Sequence, residues 1–312
     1  MSTQPDCRLI SIGAVHQDTI AHAHINVHRE TSTPARFSTR PGGVATNIAR
    51  TALRLGVDAT LVGLVGADSA ARELADQLTD EGLKIDLVQR KGFATGRYLA
   101  LHDPDGSLAA ACVDDTILTE ASESVFDSVI EAATQHARQR TIWFLDANLP
   151  QDTLAHIVAR LGNGFVFANA VSDAKAPRLK KLLQKIDCLT LNRSEAAALL
   201  QMTPASAVQD LAQALSDHGL KSFILTSGSD DLLVQTGHGL ERVSPPSTEI
   251  VDVTGAGDAL SAGIIAALAR GYTLKQAIPY GIKAAHLTLQ STGAFAENLS
   301  WDALSLDQTN GQ

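Results

Sequence analysis

The sequence predicts an α/β protein with a mostly parallel central sheet, helices on both faces, and a small β lid. Apolar strand-like runs alternate with amphipathic helical segments along most of the chain, beginning with RLISIGAV at 8–15 and VATNIARTALRL at 44–55. Strands separated by helices pair in parallel, because each helix crosses back over the sheet. Two regions, 17–40 and 96–113, lack this pattern and supply the candidate lid strands.

The other elements follow in order. The first helix stops at Gly56, and a helix over roughly 69–81 ends at Gly82, as helices commonly end at glycine. Further strands are predicted at ATLVGLVG, TIWFLDAN, GFVFANA, DCLTLN and KSFILTSG. Further helices are predicted near 151–161, 175–185, 257–270 and 274–290, with two short ones after 192. Ligands of such sheets bind beyond the carboxyl ends of the strands, so we expect the site there.

The two lid segments have strand character. Residues 17–40 alternate polar and apolar with period two, and 96–113 form two runs around the turn signal Asp-Pro-Asp-Gly. We expect these segments to pair into a small sheet standing over the ligand. No internal repeat or long linker appears, so 1–312 is predicted to be one domain with this appendage.

Composition excludes several classes of protein. No apolar run approaches the roughly 18 residues of a membrane span, and the first ten residues lack the pattern of a signal peptide. Three scattered cysteines favour neither disulfides nor a metal site, which indicates a cytoplasmic protein. A net charge of −9 without a basic stripe argues against a nucleic-acid partner. A small phosphorylated ligand remains compatible with it.

The segment VDVTGAGDALSAG at 251–263 combines an anion-binding loop with two aspartates. Its Thr254-Gly-Ala-Gly257 stretch presents backbone N–H groups at a helix start, where an anion is favoured. Asp258 follows in the first turn. It is either an aspartate that complements the helix dipole or a general base beside a phosphoryl transfer. The loop is neither a Walker A motif nor a complete dinucleotide fingerprint, since Leu260 stands at the third glycine position.

The segment DVTGAGDALSAG resembles the C-terminal signature of the ribokinase-like (phosphofructokinase B) carbohydrate and nucleoside kinases. PGGVATNIARTALRLG at 41–56 resembles their N-terminal signature, and the similarity extends over nearly the whole chain. The resemblance implies a ribokinase-like three-layer fold, ATP as donor, Mg²⁺, and transfer of the γ-phosphoryl group to a hydroxyl group. It also implies a homodimer formed through the β lid.

The resemblance assigns roles by position. Asp258 matches the catalytic base, and Gly255, Ala256 and Gly257 match the anion hole. Asp18, Gly42, Gly43 and Asn47 match residues that hold the sugar, while His16 and Asp114 are weaker candidates for contacting the acceptor. Asn192 and Glu195 match the Asn-x-x-Glu motif that organises Mg²⁺ and phosphates, and Thr226 and Gly228 match a turn at the nucleotide phosphates. Asp252 and Thr254 match positions of a monovalent cation site, which K⁺ occupies in many members.

Within that family, several segments resemble the pseudouridine kinase subfamily, among them GRYLALHDPDGSLAAACVDD and NAVSDAKAPRLKKLLQKIDCLTLNRSEAA. Asn169-Ala170 stands where that subfamily has Asp-Pro, and Thr190-Leu191 where it has Lys-Pro. Asp231, in the segment TSGSDD, stands where the family usually has glycine. The resemblance implies phosphorylation of the 5′-hydroxyl of pseudouridine, with the lid, His16, Asp114 and Asp115 selecting the base.

Three alternatives stay open at the level of sequence. One is the same chemistry on ribose or another nucleoside. Another is a catalytically weak sugar- or nucleotide-binding regulator, which the intact Asp258 and Gly-Ala-Gly loop argue against. A third is an NAD-dependent oxidoreductase, which the incomplete glycine fingerprint disfavours.

Overall fold

A computed structural model describes residues 7–135, 139–291, 293, 294, 296 and 298–305. The thirteen strands in this part of the chain are β1 (Cys7–Gly13), β2 (His16–Ala23), β3 (Ala35–Gly42), β4 (Asp58–Val65), β5 (Lys84–Gln89), β6 (Gly96–His102), β7 (Leu108–Asp114), β8 (Arg140–Asp146), β9 (Phe165–Asn169), β10 (Cys188–Asn192), β11 (Phe223–Thr226), β12 (Leu232–Thr236) and β13 (Gly239–Val243).

The α-helices of the described chain are α1 (Val44–Arg54), α2 (Ser69–Asp80), α3 (Thr116–Thr119), α4 (Asp127–Gln135), α5 (Gln151–Val158), α6 (Arg193–Leu200), α7 (Val208–Asp217), α8 (Ala256–Ala269) and α9 (Leu274–Leu289). The segment predicted as a helix near 175–185 is a 3₁₀-helix, Ala176–Lys185, with Pro177 in its first turn. A second 3₁₀-helix spans Asp302–Leu304.

The central sheet has nine strands in the order β13-β12-β11-β10-β9-β8-β1-β4-β5. All neighbours pair in parallel except β11 with β12 and β12 with β13, which are antiparallel. The predicted parallel sheet is therefore confirmed, with an antiparallel edge added. After β1 the chain winds outward through β4 and β5, and it returns to the other side of β1 at β8. Crevices for ligands form at such switch points.

Both faces of the central sheet are covered. Side chains on successive strand residues point to opposite faces, so Leu9 packs into one hydrophobic cluster while Ile10 and Ile12 pack into the other. Helices α1, α2, α8 and α9 cover the first face, and α3 to α7 with the 3₁₀-helix cover the second. The result is the predicted three-layer architecture. None of the helices in the described ranges is both long and apolar enough to cross a membrane.

The second sheet has four strands in the order β3-β2-β6-β7 and contains the two segments predicted to form a lid. Its central pair, β2 with β6, is parallel, and both outer pairs are antiparallel. The predicted turn between β6 and β7 forms with Gly106 N–H donating to Asp103 O at 2.9 Å. Because β2 starts three residues after β1 ends, the base of this small sheet lies at the carboxyl edge of the central sheet.

Candidate active site

The first turn of α8 carries Asp258, and its neighbour in space is Asn47 on α1. Asn47 Nδ2 donates to Asp258 Oδ2 at 2.8 Å, which joins two residues 211 positions apart. Gly255 precedes the helix with a φ of 76°, and a Cβ there would overlap the backbone of Ala294. Only glycine adopts this conformation at so close an approach without strain. The hydrogen bond between Asn47 and Asp258 therefore brings the segment 41–56 into contact with the segment 251–263.

The carboxyl group of Asp258 titrates near neutrality. Burial raises the pKa of Asp258 to about 7, and the hydrogen bond from Asn47 opposes that rise. The negative charges of Asp146, Asp18 and Glu195 add to it, because like charges disfavour ionisation. A carboxylate with such a pKa is suited to accept a proton at physiological pH. It stands beside the N–H groups of the α8 start, of which Ala256 N–H also makes a long contact of 3.4 Å with Val253 O.

Asp18, on β2, is half-buried and lies against the backbone of β3. A Cβ added to Gly42 would overlap the Asp18 carboxylate, so glycine is required for this close approach. Burial raises the pKa of Asp18 to about 6, against the opposing charges of Arg40 and Arg50. Within the described residues, Asp18 Oδ1 is buried without a hydrogen-bond partner. A buried unpaired oxygen costs stability unless a ligand satisfies it.

His16 lies two residues earlier on β2, so its side chain is on the same face of the strand as Asp18. Burial, followed by the charge of Lys175, lowers the pKa of His16 to about 4, although Asp115 and Asp114 oppose this. The ring is therefore neutral at pH 7. His16 Nε2 and Asn47 Oδ1 are also buried without a partner in the described chain. Together with Asp18 Oδ1 they make three unpartnered buried atoms, and both His16, which pairs with Gly42, and the Asp18 carboxylate lie beside Gly42.

Asp114 and Asp115 end the small sheet and differ in surroundings. Asp114 is exposed, and its Oδ1 accepts from Thr116 N–H at 3.1 Å. Asp115 is half-buried, and its Oδ2 accepts from Lys175 Nζ at 3.0 Å. Of these two carboxylates, Asp115 is therefore the more buried, and it is the one that forms an ion pair with Lys175.

Asp146, at the carboxyl end of β8, is a fully buried residue that the sequence did not single out. Its Oδ2 accepts from the N–H groups of Ala14 and Ala45, each at 3.0 Å, and its Oδ1 accepts from Asn148 N–H at 3.0 Å. Ala45 is the second residue of α1, two positions after the helix-capping Gly43. Asp146 therefore fixes the helix that presents Asn47. The feature in the sequence that could have indicated Asp146 is a single acidic residue at the end of an apolar strand.

A cavity of about 170 Å³ has Asp258 in its wall. It is lined by Val44, Asn169, Val171, Thr190, Leu191, Asn192, Glu195, Thr226, Gly257, Asp258 and Leu260. Asn192 caps α6 and forms a capping box with Glu195: Asn192 Oδ1 accepts from Glu195 N–H at 2.9 Å, and Glu195 Oε2 accepts from Asn192 N–H at 2.8 Å. Burial raises the pKa of Glu195, and its bond to Asn192 opposes this. Two reciprocal hydrogen bonds therefore hold Asn192 and Glu195 of the Asn-x-x-Glu motif in place at the cavity wall.

Thr226 ends β11 at this cavity, and Gly228 lies exposed in the turn that follows. Asp231, at a position where the resembled family has glycine, binds the neighbouring strand. Its Oδ1 accepts from Ser244 Oγ at 2.6 Å and its Oδ2 from Arg242 Nη1 at 3.3 Å. The departure at Asp231 therefore supports the antiparallel edge and leaves the turn at Gly228 open.

Asp252 organises the loop ahead of α8. Its two oxygens accept from Thr254 N–H at 2.8 Å and from Gly293 N–H at 2.9 Å. In the described ranges, no group of three or more histidine, cysteine, aspartate or glutamate side chains is arranged to hold a metal ion.

The arrangement brings together a carboxylate that titrates near neutrality, a helix N-terminus, three unpartnered polar atoms and a cavity. A helix N-terminus favours an anion and such a carboxylate can accept a proton, which is compatible with the transfer of an anionic group to a hydroxyl. The sequence agrees, since residues 7–301 match the model of the pfkB family carbohydrate kinases, and the chain belongs to this family. The protein is accordingly an ATP-dependent phosphotransferase with a hydroxyl acceptor, of the sugar and nucleoside kinase type.

Individual relatives agree with this assignment. The chain is 28% identical to pseudouridine kinase of Escherichia coli K12 over 306 residues, covering 97% of this chain and 92% of that protein. A solved carbohydrate kinase from Agrobacterium tumefaciens is 30% identical with a TM-score of 0.83, over 96% and 95% of the two chains. Arabidopsis thaliana ribokinase, solved with ribose and ATP, has a TM-score of 0.82 at 21% identity, over 95% and 97%. This last likeness concerns the fold.

Proposed function

We propose that the protein is a pseudouridine kinase, which transfers the γ-phosphoryl group of ATP to the 5′-hydroxyl of pseudouridine. The observation that carries the proposal is a set of three buried atoms without a partner in the described chain, His16 Nε2, Asp18 Oδ1 and Asn47 Oδ1, together with the bond from Asn47 to Asp258. A nucleoside offers ribose hydroxyls and base edges to such atoms. The 28% identity to the Escherichia coli pseudouridine kinase supports this acceptor over others.

In this proposal Asp258 accepts the proton of the 5′-hydroxyl as the phosphoryl group moves. The N–H groups of Gly255, Ala256 and Gly257 face the developing charge, which the helix dipole of α8 further stabilises. Asp18, Gly42, Gly43 and Asn47 hold the ribose. ATP occupies the cavity at the ends of β10 and β11, with Asn192, Glu195, Thr226 and Gly228 around its phosphates.

Mg²⁺ fits the donor set at this cavity, because it prefers a few carboxylate oxygens together with water and substrate phosphates. Glu195 and Asp258 are the carboxylates among the residues that line the cavity. Bound there with ATP, Mg²⁺ would neutralise phosphate charge. For a monovalent cation such as K⁺ we propose the loop of Asp252 and Thr254, whose backbone is already ordered by the Asp252 carboxylate.

We further propose that 1–312 act as one kinase unit in the cytoplasm and that 17–40 and 96–113 form a lid over the acceptor. The lid sheet has edge strands at β3 and β7, and exposed apolar side chains on them include Phe37, Leu108 and Val113. Unpaired edges with apolar side chains favour association with another sheet. A second copy of the same sheet is the partner we propose, giving a homodimer.

Ribokinase activity is the second candidate. The unpartnered oxygens of Asp18 and Asn47 suit the hydroxyls of free ribose as well as those of a nucleoside. The buried His16 nitrogen favours the nucleoside, because free ribose has no base to reach it. A regulator without catalysis is disfavoured by the intact Asp258, Asn47 and helix start.

The test is a panel of pseudouridine, uridine, cytidine and ribose with Mg-ATP, measured by ADP release. We expect kcat/KM to be highest for pseudouridine, lower for uridine, and lowest for ribose, since unpaired polar groups of the pocket weaken binding of acceptors that lack their partners. Ribose phosphorylated as well as or better than pseudouridine would contradict the pseudouridine assignment and leave the kinase assignment in place.

A further inference from the structure

Lys175 lies just before the 3₁₀-helix, and its ammonium group is held between two strand ends. Lys175 Nζ donates to Asn148 Oδ1 at 2.7 Å and to Asp115 Oδ2 at 3.0 Å. The side chains of Lys175 and Asp115 are mostly buried, with 16% and 20% of their surface exposed. These two hydrogen bonds fix the position of the ammonium group.

The donor count leaves one N–H of this ammonium unused. A lysine ammonium has three donors and no acceptor. Two of them are taken by Asn148 and Asp115, and the described chain supplies Lys175 with no third acceptor. An N–H left unpaired beside a mostly buried ion pair is a ready donor for a ligand oxygen.

The ammonium lies near the proposed acceptor site, which is the group of unpartnered atoms on His16, Asp18 and Asn47. Its partner Asp115 directly follows Asp114, which pairs with Arg97 on β6, and the neighbouring Gly96 pairs with His16. The charge of Lys175 also contributes to lowering the pKa of His16. On the other side, Asn148 N–H donates to Asp146, which also accepts from Ala45 at the start of α1. Lys175 therefore lies between the strand rows that end near His16 and the contacts that hold the helix carrying Asn47.

We infer that Lys175 is a specificity-determining residue, whose third N–H donates to a ring carbonyl oxygen of the acceptor's nucleobase. The ligand class is a nucleoside whose base carries such a carbonyl, as pyrimidine nucleosides do. Asp115 follows the last residue of β7, so the same ion pair ties base recognition to the small sheet. This inference rests on the proposed nucleoside kinase function.

A purely structural ion pair predicts a different behaviour. If Lys175 only joined Asp115 to Asn148, its loss would lower the activity on every acceptor to the same extent. If it contacts the base, its loss lowers activity on nucleosides more than on ribose, which has no base. The ratio of kcat/KM for pseudouridine to kcat/KM for ribose separates these two cases.

The experiment compares wild type with Lys175→Met and Lys175→Gln, where the glutamine keeps hydrogen bonding to both partners if methionine disturbs folding. Lys181→Met, at an exposed lysine of the same 3₁₀-helix, is the matched control. We expect the pseudouridine-to-ribose ratio to fall roughly 10- to 100-fold in both Lys175 variants, the loss expected for a hydrogen bond to a charged group. The control should keep the wild-type ratio.

An unchanged ratio in folded Lys175 variants, with a wild type that prefers pseudouridine, would overturn this inference and leave the proposed function intact. A wild type that prefers ribose would overturn both. Thermal melting of each variant establishes that the ratio is measured on folded protein.

Discussion

The pH dependence of catalysis tests the role of Asp258 most directly. The pKa of Asp258 is raised to about 7, chiefly by burial. Only the ionised carboxylate accepts a proton, so kcat/KM should rise with pH up to about 7 and level off above it. At pH 5 roughly 1% of a group with this pKa is ionised, which predicts a roughly 100-fold lower kcat/KM.

The contact between Asn47 and Asp258 offers a way to shift the pH at which kcat/KM reaches half of its plateau value. Asn47 stabilises the ionised form through its 2.8 Å hydrogen bond to Oδ2. Asn47→Ala removes that bond, so the carboxyl group ionises at higher pH. A hydrogen bond to a charged group is worth enough to raise the midpoint by about one pH unit. Weaker acceptor binding alone would lower kcat/KM without moving the midpoint.

Asp258→Asn should retain the fold and ATP binding but lose roughly 10²- to 10⁴-fold in turnover, as expected for a positioned general base. Asp210→Asn is the matched control, since Asp210 is an exposed acid in the first turn of α7. Turnover is measured by ADP release and ATP binding by calorimetry. Near-wild-type turnover of the Asp258 variant, or a flat profile between pH 5 and pH 8, would refute this reasoning.

Three further perturbations test the framework of the site. Asp146→Asn places an amide against three backbone N–H donors and should lower the free energy of unfolding by roughly 1–3 kcal/mol in chemical denaturation; an unchanged midpoint would mean that α1 is not held by this carboxylate. Gly255→Ala should cost roughly 1–3 kcal/mol through its positive φ, whereas Gly257→Ala, whose Cβ meets nothing within 4 Å, should keep its melting temperature. The wild type should sediment as a dimer at micromolar concentration and Phe37→Asp as a monomer, and a monomeric wild type would exclude the proposed pairing of lids.

The sequence predicted the elements whose signals are local. Helix α1 ends at Arg54, before the cap at Leu55 and the predicted stop at Gly56, and α8 spans Ala256–Ala269 against a prediction of 257–270. The strands β12 and β13 were missed, because they are five residues each and β13 is only half-buried, which leaves a weak hydrophobic pattern. Their residues carry no pattern that predicts antiparallel pairing of β12 and β13.

The site was predictable only where residues lie in a recognisable motif. Asp258 and Asn47 were found because each sits in a signature, although their contact spans 211 positions. Asp146 was missed because it is a single polar residue at a strand end, and Lys175, although it lies in the segment NAVSDAK that resembles the subfamily, was given no role. Asp146 meets Ala45 across 101 positions, and Lys175 meets Asp115 across 60. Such contacts exist only after the sheet order is known.

Asn169 and Thr190, which lie in the two segments that depart from the pseudouridine kinase pattern, contact each other. Asn169 Nδ2 donates to Thr190 Oγ1 at 3.2 Å, and Thr190 Oγ1 lies 3.0 Å from Ser261 Oγ on α8. A neutral pair thus joins β9, β10 and α8 beneath the cavity, at the positions where that subfamily has aspartate and lysine. Because both partners are neutral, neither is left as an uncompensated charge.

This neutral pair bears on the proposal that the cavity holds the triphosphate of ATP. Among the described residues that line it, the charged ones are Glu195 and Asp258, and both are acidic. If ATP binds there as proposed, the N-terminus of α8 and a cation that enters with the nucleotide would supply positive charge to the phosphates. ATP binding should accordingly weaken sharply when Mg²⁺ is removed by a chelator, because two carboxylates would then face the phosphates without compensation.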